Sequence, residues 1–150
     1  MHVYKTKQVL KTDINTAWEF LSNPKNLKSI TPQFMGFDII SCDDKKMYQG
    51  QIIEYIVKPF LNIPFKWVTE ISHIKHQEYF VDEQRFGPYT FWHHKHFLNE
   101  IDGGVEMVDV IHYKIPFGYL GRFIHYLLIK SKIISIFEYR KERLEKIYNN

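Results

Sequence analysis

The chain has 150 residues, enough for one domain with a sizeable core, and its 45% hydrophobic and 25% charged content is that of a globular protein rather than a disordered tail. A single cysteine, Cys42, excludes a disulfide-stapled scaffold, and no apolar run approaches the roughly 18 residues a membrane span needs. The formal charge of +3 gives no broad basic face for nucleic acid, so a cytoplasmic protein with another kind of partner is expected.

In chain order, His2 to Leu10 alternates polar and apolar residues and predicts a first strand. Thr12-Asp13 offers a helix N-cap, followed by Ile14, Ala17, Trp18 and Leu21 at helical spacing. Asn23-Pro24 ends that helix and starts a second short one through Leu27 to Ile30, which Thr31-Pro32 closes. Six strands are then expected: Phe34–Cys42, closed by an Asp43-Asp44 turn, Gln49–Val57, Phe65–Ile74, Gln77–Arg85, Tyr89–Leu98 and Val105–Tyr113. Strands that turn directly into one another favour an antiparallel sheet.

The remainder, from Gly118 to Tyr148, predicts one long helix. Its expected apolar stripe is Leu120, Phe123, Ile124, Leu127, Leu128, Ile134, Phe137, Leu144 and Ile147, with Arg140, Lys141, Arg143 and Lys146 mostly on the other side. From Lys114 onward eight Lys/Arg face three Glu, an excess that reads as a solvated face or as a surface for an anionic partner. The expected fold class is α+β: a curved antiparallel sheet of about seven strands wrapped around the C-terminal helix, spanning 1–150 as a single domain.

The 17% aromatic content suits a cavity with flat apolar walls, or simply a dense core. The Asp102-Gly103-Gly104 triplet marks a hairpin. A two- or four-residue loop there pairs positions whose numbers sum to 205, which sets His96 opposite Asp109, His94 opposite Ile111 and Trp92 opposite Tyr113. One face then carries Trp92, His94, His96, Leu98, Met107, Asp109, Ile111 and Tyr113. The other carries Lys95 and Glu106, costly to bury, so the first face is expected to point inward. A three-residue loop would reverse this.

An inward His opposite an inward Asp admits three readings: a structural hydrogen-bond network, an anchor for a mostly apolar guest, or a general acid–base pair. His94, His96 and Asp109 are thus the catalytic candidates. As metal ligands they would number three, but no His-x-x-x-His or Cys pair accompanies them, and no metal or other cofactor is expected. Trp67 and Glu70 have opposite parity on their strand, and a solvated Glu70 is expected; Gln84 and Arg85 also oppose each other. Tyr89, after Gly87-Pro88, is placed to close a pocket mouth. No Gly-x-Ser-x-Gly elbow or phosphate-binding glycine loop is present.

Several local patterns together resemble the START-like (SRPBCC) superfamily, which shares the helix-grip fold of the birch-pollen allergen, and in particular one of its bacterial ligand-binding branches. They are Trp18, Leu21, Asn23-Pro24, Asn26-Leu27 and Ile30-Thr31-Pro32; Asp82, Gln84, Gly87-Pro88-Tyr89, Trp92, His94 and His96-Phe97; Met107, Asp109, Ile111, Tyr113 and Pro116-Phe117-Gly118; and Ile136-Phe137 with Tyr139-Arg140. The resemblance covers essentially the whole chain. It implies a cavity between sheet and helix for a small hydrophobic or lipid-like molecule, which some superfamily members, such as polyketide cyclases, use as an active site. It also favours Gln84 as the inward member of its pair. The expected ligand-binding set is therefore Gln84, Tyr89, Trp92, His94, His96, Asp109, Tyr113 and Trp67. A cyclase- or hydratase-like enzyme, and an interaction module working through the basic last helix, stand as alternatives.

Overall fold

The computed structural model describes residues 1–43, 46–60 and 62–149, with only the backbone of Pro59 and Phe60. The alternating N-terminus forms β1 (His2–Leu10), whose inward positions end on the buried Gln8 and Leu10. Asp13 caps α1 (Ile14–Leu21) by accepting the Thr16 amide at 3.0 Å, and α1 buries Ala17 and Trp18. Asn23 in turn accepts the Lys25 amide and opens a 3-10 helix, Pro24–Ile30, with proline in its first turn, where a missing N–H costs nothing.

Phe34 does not begin a strand. Gln33–Met35 is a second 3-10 turn, ended by Gly36 in the left-handed region at φ 52°, and the strand that follows, β2, is only Asp38–Ser41. Asp44 of the expected turn lies outside the described residues. The sheet continues through β3 (Ile52–Phe60), β4 (Ile63–Lys75), β5 (Tyr79–Phe86), β6 (Phe91–Ile101) and β7 (Gly104–Lys114). Gln77 sits in a left-handed turn at φ 62°, which moves the start of β5 to Tyr79.

All seven strands form one antiparallel sheet in the order β1-β7-β6-β5-β4-β3-β2. The β6–β7 hairpin turns on Asp102-Gly103, with Gly103 at φ 80°, and its register sums to 205 throughout. A side chain at the next residue, Gly104, would collide with the Leu10 carbonyl of β1, so glycine there lets the two strands close up.

A continuous helical run then crosses the concave face of the sheet: α2 (Gly118–Ile124), a π-helical segment (His125–Ile129) and α3 (Lys130–Tyr148). The wider π turn changes which residues face inward. The buried positions are Gly121, His125, Ile129 and Ile133, four apart, followed by Phe137, Arg140 and Leu144. Phe137 and Leu144 of the expected stripe are therefore inside, whereas Leu120, Phe123, Leu127 and Leu128 are at least half exposed. Arg140 is the reverse correction. Expected on the solvent side, it is only 7% exposed and points beneath the helix, because Ile133, Phe137, Arg140 and Leu144 recur at the spacing of one helical face.

The core divides along the helix. Leu10, Trp18, Phe80, Leu98 and Leu144 pack at one end, and Ile111, Tyr113, Ile129, Ile133 and Phe137 at the other. Met35, Tyr55, Val57, Trp67 and Ile71 line the outer half of the sheet. Burying Phe137 alone contributes about 1.5–3 kcal/mol.

Candidate functional site

Between the sheet and α3 lies a cavity of about 180 Å³. Its walls are mostly apolar, aliphatic and aromatic together, with Tyr55 and Trp67 on β3 and β4, Tyr89 and Trp92 at β6, and Ile133 and Phe137 on α3 among them. Three rings interlock at one corner: Trp67 meets Trp92 edge to face with centroids 5.2 Å apart, and Tyr89 lies 5.5 Å and 4.9 Å from the two indoles. The buried Trp67 N–H has no hydrogen-bond partner among the described residues. A second concavity, beside α1 and lined by Glu19, Lys25, Asp43 and Lys46, is larger at about 460 Å³ but carries charges of both signs. The apolar cavity, with few and convergent polar groups, has the character of a binding site.

Beside the neutral Asn23, Thr31 and Thr69, the polar wall carries the titratable groups Asp82, His94, His96 and Arg140. The β5–β6 register puts Asp82 directly opposite His94, and the β6–β7 register puts His96 directly opposite Asp109. All four side chains project from the concave face, so each imidazole lies between two carboxylates. His94 Nε2 is 3.0 Å from Asp109 Oδ1, and its Nδ1 is 3.3 Å from Asp82 Oδ2. His96 Nε2 is 2.7 Å from the same Asp82 oxygen, and its Nδ1 is 2.9 Å from Asp109 Oδ1. The two imidazole centroids are 3.7 Å apart, and Phe80 stacks on the outer side of His96 at 4.1 Å. Asp109 is fully buried, and the Arg140 guanidinium reaches to 3.9 Å from it.

Electrostatics within this group run in one direction. Burial alone would raise the Asp109 carboxyl, yet the Arg140 charge, with His94 and His96, holds it well below the ordinary carboxylate range. Burial opposes ionisation of Asp82 as well, and the charge and hydrogen bonds of His94 and His96 overcome it. For His94, burial disfavours the charged ring, but Asp82 and Asp109 outweigh burial and raise it above the usual imidazole value.

The sequence-expected site residues separate into two groups. Trp67, Tyr89, Trp92, His94 and His96 form cavity wall. Asp109 stands behind the imidazoles and orients them. Tyr113 is buried one layer away, its hydroxyl 2.8 Å from His125 Nε2. The Gln84 amide is spent on the turn: it donates to the Tyr89 carbonyl at 2.6 Å and accepts the Tyr89 amide at 3.2 Å, so it holds Tyr89 in place without lining the wall. Glu70 faces outward and pairs with Arg85.

Sequence reasoning omitted Asp82 and Arg140. Asp82 shares parity with Gln84 and lies opposite His94 once the Gly87-Pro88 hairpin is given a register, a signal present but not used. Arg140 falls four residues before Leu144 and three after Phe137, which is the inward face of α3.

No protein-family model matches the chain, and no curated protein does. Solved structures do. CV1439 from Chromobacterium violaceum superposes with a TM-score of 0.74 at 9% identity, covering 99% of this chain and 97% of that one. A START superfamily protein from Mycobacterium smegmatis gives 0.68 at 10% identity, over 98% and 99% of the two chains. Ara h 8.0201 gives 0.62 at 13% identity, over 97% and 98%. At such identities the likeness carries the architecture, and the architecture is plain: this chain has the START-like helix-grip fold.

Proposed function

We propose that the protein binds a small, mostly apolar molecule bearing at least one oxygen, held in the cavity between the sheet and α3. One observation carries this reading: an aromatic-walled cavity that ends on the compact polar set Asp82, His94, His96 and Arg140. Apolar walls with a few convergent polar groups are how proteins take small ligands, the walls giving affinity and the polar end giving orientation. The unpartnered Trp67 N–H adds a donor that a guest's oxygen would satisfy. The START-like fold supports the reading, since it encloses a cavity of this kind.

A second reading uses the same guest. His94, set between two carboxylates with its basicity raised, is suited to move a proton at a bound carbonyl or hydroxyl. The interaction-module reading loses ground, because Arg140 belongs to the interior.

Binding is tested with an apolar fluorescent probe titrated against the wild type and against Thr69→Trp, whose bulkier ring fills the cavity from the β4 wall. Native mass spectrometry of the freshly purified protein provides a second measure. The expected result is probe binding by the wild type and its loss in Thr69→Trp. Equal binding by both would place the probe on the exposed helix face and refute the cavity reading.

A further inference from the structure

We infer that Asp82, His94 and His96 form a binding site for one divalent transition-metal ion, open to the cavity, with Asp109 and Arg140 as its supporting layer. The inference goes beyond ligand binding and does not depend on it.

Three donor atoms converge. Asp82 Oδ2, His94 Nδ1 and His96 Nε2 all lie within 4.8 Å of one another. Asp82 Oδ2 is 2.7 Å from His96 Nε2 and 3.3 Å from His94 Nδ1. Metal–ligand bonds of about 2.1 Å place neighbouring donors ~3.0 Å apart on an octahedron and ~3.4 Å apart on a tetrahedron. The separations of 2.7 and 3.3 Å bracket the octahedral edge. Two imidazoles and one carboxylate on a single face, with the remaining positions open, are a donor set for Fe(II), Zn(II), Co(II) or Mn(II) rather than for calcium.

The layer behind the triad is the stronger observation. A histidine that binds a metal through one nitrogen commonly gives its other N–H to a carboxylate, which fixes the tautomer and turns the lone pair toward the ion. His94 does so: its Nε2 is hydrogen-bonded to Asp109 Oδ1 at 3.0 Å. His96 Nδ1 comes within 2.9 Å of the same oxygen but off the line of a hydrogen bond, and its Nε2 bonds Asp82 at 2.7 Å. Asp109 is fully buried, and Arg140 balances its charge.

His94, with Nε2 committed to Asp109, turns its Nδ1 lone pair toward the Asp82 carboxylate at 3.3 Å. His96 points Nε2 at the same Asp82 oxygen at 2.7 Å, so an ion entering the triad takes the place of the proton between them. One ion there is shared by all three donors.

Entry and chemistry also agree. Asp82, His94 and His96 line the cavity, and Asp109 does not. The open coordination positions therefore face the aromatic chamber, where the oxygen of a guest would complete the shell. With Asp82 and Asp109 ionised and Arg140 charged, a divalent ion brings the group to one net positive charge, which favours an anionic oxygen.

The test is equilibrium dialysis of chelator-treated protein against Zn(II), Co(II) or Mn(II), with bound metal measured by elemental mass spectrometry. The expected result is about one ion per chain, a visible absorption band with Co(II), and a rise in melting temperature on loading. Asp82→Asn and His96→Ala should each abolish retention, while Asp109→Asn, one layer out, should weaken it about 10–100-fold. His112→Ala, on the outer face of β7, should leave it unchanged.

No ion retained by the wild type would overturn the inference, leaving the imidazoles as a hydrogen-bonded pair between carboxylates. Retention unaltered in Asp82→Asn and His96→Ala would overturn it equally, by placing the ion elsewhere. Should His96→Ala fail to fold, Asp82→Asn, which keeps the side chain's shape, and the wild-type Co(II) spectrum decide. Probe binding by the metal-free protein is read separately, so loss of metal binding and loss of guest binding are distinguishable.

Discussion

Replacing Arg140 by leucine is the sharpest test of how the polar cluster is held. The guanidinium is 7% exposed and lies 3.9 Å from Asp109, which is wholly buried. At an effective dielectric of about 20, unit charges at that distance attract by about 4 kcal/mol. Removing one partner of a buried pair generally costs about 3–5 kcal/mol, because the remaining charge stays desolvated. For a chain of this length that lowers the melting temperature by about 6–20 °C. Lys141→Leu, one residue on and exposed, should change stability by less than about 0.5 kcal/mol. The measurement is urea unfolding of metal-free protein at pH 5.5 and pH 8. His94 has its value raised in the fold, so its contribution is fully present below about 6.5 and is lost as pH rises through the raised value. Without Arg140, that imidazolium is the remaining counter-charge for Asp109, so the deficit of Arg140→Leu should be larger at pH 8 than at pH 5.5. A loss no greater than that of Lys141→Leu at either pH would refute the interior placement of Arg140 and the charge balance built on it.

Asp82 and Asp109 are both depressed in the fold, so their stabilisation is present above about pH 4 and is lost as pH falls toward their folded values; Asp82→Asn should flatten the acid limb of the melting-temperature profile. Phe137→Ala should cost about 3–5 kcal/mol, and Phe123→Ala, 62% exposed, less than about 0.5 kcal/mol; similar losses would contradict the inward face assigned to the helix. A Cβ at Gly87 would stand 2.5 Å from Gln84 Oε1, so Gly87→Ala should displace that amide from Tyr89 and lower guest affinity, as Gln84→Ala should also do. If Gly87→Ala binds the apolar probe as the wild type does, Tyr89 is not positioned through Gln84.

The sheet was legible because its signals are local. A two-residue Asp102-Gly103 turn and a period of two are enough to fix β6 against β7 and to place Trp92, His94, His96 and Asp109 on one face. The antiparallel sheet followed from strands that turn directly into one another, whereas the pairing of β1 with β7, which no hairpin makes, was not read. The helix was harder, since hydrophobic periodicity presumes 3.6 residues per turn and the π segment His125–Ile129 breaks that count. Counting from Leu120 thus selected the outer face of the first half, and charge alone assigned Arg140 to solvent. The site was half legible for a related reason. His94 and His96 announce themselves by type and spacing, but their pairing with Asp82 depends on the register of a second hairpin, and their pairing with Arg140 on how the helix crosses the sheet.

The outward face of the first half of that helix has a consequence for the protein in solution. Tyr119, Leu120, Phe123, Tyr126 and Leu127 are all more than half exposed, and no acidic residue occurs from Lys114 to Phe137, while Arg122 and Lys130 stand among the apolar side chains. Two forces of different range therefore govern encounters between copies. Like-charge repulsion reaches about 30 Å at 0.01 M salt but only about 3 Å at 1 M, whereas apolar attraction persists and is strengthened by sulfate. The osmotic second virial coefficient, read by static light scattering, should fall steadily as salt is added, so that the protein is kept apart by dilute buffer and salts out early.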